Sequence, residues 1–208
     1  MSDRQDVLLL SALSKNPNTP AEILFELGAE FPQQLLDNPV FSLLPLEYPN
    51  LAEAIPEKTL RRLLRCDRVP RFLLEQALLK DNSFLRLIAG SRSTPVDVLE
   101  RLSNYQGFDV RASVASNPKT PIYLLDKLGQ DPHKMVLGAL AANPNMPINL
   151  LEQLVERRSL FYVRQEVRRI LHAPTPPTDA ELRQLRSLIS EGFRLDNTKF
   201  ILPHRHPQ

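Results

Sequence analysis

Apolar residues recur along this chain at fixed distances from a set of prolines. Counting from Pro20, Pro70, Pro95, Pro121 and Pro147, offsets of three, four and seven fall on Ile23, Leu24 and Leu27; Leu73, Leu74 and Ala77; Val98, Leu99 and Leu102; Leu124, Leu125 and Leu128; and Leu150, Leu151 and Leu154. Those offsets line one face of an α-helix, so each proline predicts a short helix A. A second cluster follows at offsets near 15 to 20: Leu35, Leu36 and Val40; Leu85, Ile88 and Ala89; Val110, Val114 and Ala115; Val136, Leu140 and Ala141; and Val163, Val167 and Ile170. It reads as a helix B of about two turns, partly 3₁₀. Two such helices cannot bury their apolar faces alone, but units stacked on one another can.

The prolines also predict where helix A begins. Proline fits the first helical position, where no amide hydrogen is needed, and it drives the residue before it out of helical geometry. Thr19, Thr94 and Thr120 hold that preceding position and are expected to cap helix A, with Glu22 completing a capping box and Asp97 approaching one. Val69 and Met146 cannot cap, so their helices are expected to start less firmly. Pro20 and Pro70 lie two periods apart, with Pro45 midway. Helix A after Pro45 is broken by Pro49, yet Leu60, Leu63 and Leu64 keep the helix B offsets, which marks a degenerate repeat at about residues 42–65.

The ends differ from the repeats. Residues 3–14 predict a first helix, with Asp3 and Asp6 favoured near its start by the helix dipole. The repeat array is expected to span 1–172. Residues 173–208 then hold a Pro-rich break, a capping helix over about 179–191 and a loose tail. Thr178 with Glu181 forms a capping box for that helix. Its Leu182, Leu185, Leu188 and Ile189 are spaced to cover the open end of a stack.

At this point the chain resembles a known family. The phrases VRASVASNPKTPIYLLDKL and LGALAANPNMPINLLEQL resemble the variant leucine-rich repeat, a relative of HEAT and armadillo arrays. The resemblance covers about residues 85–154 and returns at 16–28 and 66–78. It implies an all-α fold, a right-handed superhelical solenoid of paired short helices, the second partly 3₁₀. Some members carry an iron–sulfur cluster on an N-terminal cysteine cluster. This chain has no such cluster, so no cofactor is carried over. The family offers no shared catalytic residues.

Composition narrows the function classes. The 208 residues are 42% apolar and 24% charged, with 19 prolines and 6 glycines, an ordinary globular balance suited to short helices repeatedly started and stopped. The single cysteine, Cys66, excludes an internal disulfide and any Cys-rich metal site. No basic-apolar leader is seen, and no stretch nears the roughly 20 apolar residues of a membrane span. The expectation is a cytoplasmic protein without membrane contact.

Candidate chemistry is sparse. Asn16, Asn117 and Asn143 sit four residues before their prolines, where an asparagine closes a turn by bonding nearby backbone. Ser91 and Cys66 hold the same slot. Arg65 and Arg68 are expected to lower the Cys66 pKa, but no histidine stands near as a base. His133, His172, His204 and His206 are scattered.

The arginines are the suggestive feature. Arg61, Arg62, Arg65, Arg68 and Arg71 form one cluster and Arg157, Arg158, Arg164, Arg168 and Arg169 a second, with Arg86, Arg92 and Arg111 between. Arg61, Arg86, Arg111 and Arg164 share an offset of 16 or 17, so stacking would align them as a ladder. The candidate binding residues are therefore Arg61, Arg65, Arg68, Arg86, Arg111, Arg157, Arg164 and Arg168. They read either as a basic stripe for an acidic partner or phosphates, or as a solvated face balanced by Asp67, Glu75, Asp109, Glu156 and Glu166. No Trp and four Tyr argue against single-strand stacking platforms. With no catalytic constellation, the sequence predicts a non-enzymatic scaffold that binds a protein or acidic partner. The alternative is sequence-independent binding of a nucleic-acid backbone.

Overall fold

The computed structural model describes residues 2–157, 167–171 and 176–194, and among these every regular element is a helix. The chain divides into two compact units, Met1–Pro95 and Val96–Gln208. In the first, α1 (Ser2–Lys15), α2 (Ala21–Leu27), α3 (Pro32–Leu36), a 3₁₀ turn (Pro39–Ser42), α4 (Leu44–Glu47), α5 (Leu51–Ala54), α6 (Glu57–Leu63), α7 (Arg71–Ala77) and α8 (Asn82–Gly90) follow in order. In the second come α9 (Val96–Ser103), α10 (Phe108–Ser116), α11 (Ile122–Leu128), α12 (Lys134–Ala142), α13 (Ile148–Arg157) and α14 (Asp179–Arg194). Residues 167–171 are also helical.

The proline offsets locate the core. Leu24, Leu73, Leu74, Ala77, Val98, Leu99, Leu102, Leu124, Leu125, Leu128, Leu151 and Leu154 are all buried. The stripe is less closed in the first and last of these repeats: Ile23 is 45% exposed, and Leu27 and Leu150 are half-buried. Helix B contributes Leu85, Ile88, Ala89, Val110, Val114, Ala115, Val136, Leu140, Ala141, Val167 and Ile170, again buried. Val163 lies outside the described residues. Helices of seven to nine residues are marginal alone in water. Each buried leucine adds about 2 kcal/mol of burial, so packing holds these helices.

The structure corrects two local expectations. Helix B is α-helical throughout in α8, α10 and α12, each nine residues long; the 3₁₀ part expected of it appears, among the described residues, only in the first repeat, where Pro39–Ser42 carries Val40. There Pro39 lacks an amide hydrogen, and the Asn38 side chain accepts from Val40 N at 3.0 Å, which tightens the turn. The prolines also sit one place earlier than expected. Pro20, Pro70 and Pro121 are extended N-cap residues with ψ of 144, 140 and 154°. Their carbonyls open the ladder, as in Leu24 N to Pro20 O at 3.0 Å and Leu125 N to Pro121 O at 3.0 Å.

The threonines therefore do not cap helix A. Each donates its hydroxyl backwards, into the end of the preceding helix: Thr19 to Leu13 O at 2.8 Å, Thr94 to Ile88 O at 2.5 Å and Thr120 to Val114 O at 2.6 Å. A helix end leaves carbonyls unpaired, and a buried hydroxyl satisfies one. Glu22, freed from the expected box, accepts from Tyr48 Oη at 3.0 Å. Val69 and Met146 occupy the same slot and are buried, so the position selects for burial. Pro70 begins its helix with the same geometry as the threonine-preceded Pro20.

The degenerate repeat is split by Pro49 into α4 and α5, and Gln76 of α7 repairs the break. Its amide donates to Pro49 O at 2.8 Å and its oxygen accepts from Ala52 N at 2.9 Å. Leu60, Leu63 and Leu64 are buried as the register demands.

At the other end the Thr178–Glu181 box forms in full: Thr178 N to Glu181 Oε2 at 2.9 Å and Glu181 N to Thr178 Oγ1 at 3.3 Å. α12 packs against both α10 and α14. α12 is thus the common partner of a neighbouring helix B and of the terminal helix. Gly138 allows the approach, because a Cβ there would stand 3.3 Å from Ser190 O and 3.4 Å from Phe193 Cβ.

Candidate functional site

Two of the candidate arginines, Arg61 and Arg111, are tied to the neighbouring repeat. Arg61 reaches from α6 to the start of α8. It donates to Ser83 Oγ at 2.7 Å, lies 4.4 Å from the centre of the Phe84 ring and pairs with Glu57 at 2.8 Å. The same Ser83 donates to Asp81, and this hydrogen bond is the main cause holding the Asp81 carboxyl below its usual range. Arg111 reaches from α10 to the turn before α12. It pairs with Asp131 at 2.6 Å and donates to Tyr105 O at 2.8 Å and Gln106 O at 2.7 Å. The hydrogen bond that Arg111 donates to Asp131 raises the Arg111 pKa further. Arg168 pairs with Glu156 at 3.0 Å on the surface. Arg164 and the side chain of Arg157 lie outside the described residues.

Arg65, Arg68, Arg86 and Arg92 are exposed. Arg65, Arg86 and Arg92 line one groove with Leu64, Asp67, Leu87, Gly90 and Ser91, of about 390 Å³. The groove joins the end of α6 and the turn after it to the end of α8 and the turn after that. Both rims lie at helix C-termini, where partial negative charge favours cations. Three arginines against one aspartate leave the lining with a formal charge of +2. Gly90 also lines the groove, and a Cβ there would meet nothing within 4 Å. Arg68 is exposed but does not line the groove.

A larger cavity, of about 530 Å³, lies between the end of α12 and α14. Its Arg186 is already engaged. The guanidinium donates to Asn143 O at 2.6 Å and Met146 O at 2.7 Å, and burial lowers its pKa. This is the seam by which the terminal helix closes on the last asparagine turn.

No family model, curated protein or solved structure matches this chain. The reading of the site therefore rests on its own residues.

The asparagines make local turn bonds, as expected: Asn18 N to Asn16 Oδ1 at 2.9 Å, Lys119 N to Asn117 Oδ1 at 2.9 Å and Asn145 N to Asn143 Oδ1 at 2.8 Å. Asn143, and with it Asn38, also does something the sequence reading missed. Asn143 Nδ2 donates to Ala115 O at 2.7 Å and to Asn117 O at 2.9 Å, one repeat earlier. Asn38 does the same to Ser14 O at 3.0 Å and Asn16 O at 3.2 Å. The signal was present in the recurring Asn-Pro pair, which also includes Asn38-Pro39.

Cys66 corrects another expectation. Its thiol pKa is raised, first by burial and then by Asp67 and Asp37, so Arg65 and Arg68 do not activate it. His133 stacks on Phe108 with ring centres 3.7 Å apart and accepts from Met135 N through Nδ1 at 3.3 Å. His172, His204 and His206 lie outside the described residues. Among the described residues no three His, Cys, Asp or Glu side chains gather as a metal site. No described helix is long and apolar enough to cross a membrane.

Proposed function

We propose that this chain is a non-enzymatic interaction scaffold of variant leucine-rich repeats, stacked as a right-handed α-solenoid, that holds a protein or acidic partner in the cytoplasm. The observation that carries the reading is the division among the arginines. Arg61 and Arg111, from the aligned offset, stiffen the contact between neighbouring repeats, while Arg65, Arg86 and Arg92 gather around one open groove. Buried polar ties hold the repeats in register, and a fixed basic surface suits recognition by charge and shape. The alternative of nucleic-acid binding along an arginine ladder draws less support, because two rungs of that ladder are engaged internally.

Two measurements on the full chain test the proposal. Small-angle scattering should give a radius of gyration above the about 17 Å of a compact chain of this length; a value at or below it would remove the solenoid. Affinity capture from lysate should recover a defined protein that survives nuclease treatment and is lost from an Arg65→Glu/Arg92→Glu variant. Recovery that disappears with nuclease would favour nucleic acid instead.

A further inference from the structure

We infer that the groove between α6 and α8 receives a short acidic peptide segment, with a carboxylate seated among Arg65, Arg86 and Arg92 and a backbone N–H of the ligand donated to Asp67. This rests on the scaffold reading and adds to it the site and the partner's chemistry. Arginine presents a planar fork of donors that matches a carboxylate in paired hydrogen bonds. Three such groups on the rim of one groove favour an anion.

Asp67 decides which anion. It stands in the same lining as the arginines. A DNA backbone offers phosphate acceptors and no N–H donor, so an aspartate in its path repels it. A peptide brings an N–H at nearly every residue and turns Asp67 into an acceptor that recognises it. Size points the same way. A groove of about 390 Å³ falls at the low end of the about 300–1,000 Å³ of ligand clefts, enough for a few residues of extended chain. Gly90 lines this groove with open space where a side chain would be, which lets a backbone pass close to the end of α8.

The same glycine provides a test variant that leaves the fold alone. Gly90→Leu meets no atom of the protein with its Cβ and adds bulk at a position that lines the groove. The experiment is fluorescence anisotropy with a labelled hexaglutamate peptide and a labelled six-nucleotide thymidine oligomer, at matched ionic strength. The wild-type chain should bind the peptide more tightly than the oligomer. Arg65→Gln/Arg92→Gln should weaken peptide binding at least tenfold. Gly90→Leu should block it with an unchanged thermal midpoint, and Asp67→Asn should narrow the preference for peptide over oligomer. Equal affinity for the two probes, or peptide binding indifferent to Arg65→Gln/Arg92→Gln, would overturn the assignment of this groove. A protein partner captured equally well by wild type and by Arg65→Gln/Arg92→Gln would also overturn it while leaving the scaffold reading standing; capture of no partner at all removes both.

Discussion

Asn143→Ala is expected to cost this chain about 3–4 kcal/mol, because it strips three hydrogen bonds, worth about 1 kcal/mol each, from a buried site and leaves their partners unpaired. Asn143 is 0% exposed. Its Nδ2 serves two carbonyls of the preceding repeat, Ala115 O and Asn117 O, and its Oδ1 holds Asn145 N. Water cannot take over from the lost amide at so closed a position, so the desolvation cost of each orphaned group is felt in full. Asn16 is the natural control. It holds the same place in its own turn and bonds Asn18 N, but it is exposed. Asn16→Ala should lose at most about 1 kcal/mol, since solvent replaces its bond. Urea denaturation of both variants, followed by helical circular dichroism, measures the contrast. Equal losses would show that the asparagine acts only within its own turn.

Arg111→Met should lose about 3–5 kcal/mol, the range for leaving one partner of a buried ion pair alone. The two side chains are 16% and 6% exposed, and the guanidinium also serves Tyr105 O and Gln106 O. Asp131 would be left as a buried charge that still accepts from His133 N at 2.9 Å. Adding Asp131→Asn removes that charge while an amide oxygen can still accept from His133 N. The double variant should therefore recover at least about 1 kcal/mol of the single loss, a coupling expected of contacting charges. The comparison pair is Arg168–Glu156, with side chains 62% and 39% exposed. Arg168→Ala should change stability by no more than about 1 kcal/mol, as exposed pairs do. Additive effects of Arg111→Met and Asp131→Asn in a double-mutant cycle would contradict the coupling.

Much of the fold was legible because its cues are local. A proline restricts the backbone of two residues, and leucines three, four and seven places on share a helical face whatever lies around them. The same holds for Thr178 and Glu181, whose reciprocal bonds close within four residues. The threonines show where this reasoning fails. Thr120 has a backbone amide ahead of it and a carbonyl behind it within reach, and a hydroxyl can serve either. The neighbouring Pro121 adopts an extended geometry and lies outside helix A. That leaves the buried hydroxyl to close α10 at Val114 O.

The candidate site was legible only as a list of arginines. The shared offset of Arg61 and Arg111 places both on the same part of helix B, but offset carries no record of what the next repeat presents. Ser83 with Phe84 meets the first and Asp131 the second. Conversely, Arg65 and Arg92 share no offset, and they line one groove because adjacent helix ends bring them together.

Taken by itself, the order of residues determined that short helices would follow the prolines, which face of each is apolar, and that Pro49 would break one of them. These follow from sterics and spacing within about a dozen residues. Only the tertiary structure decided which asparagine amide finds which carbonyl, which arginines are engaged inside, and where three of them surround open space. Those outcomes pair groups some 20 to 28 residues apart, and hydrogen bonds across such distances are selected by what packing leaves without water.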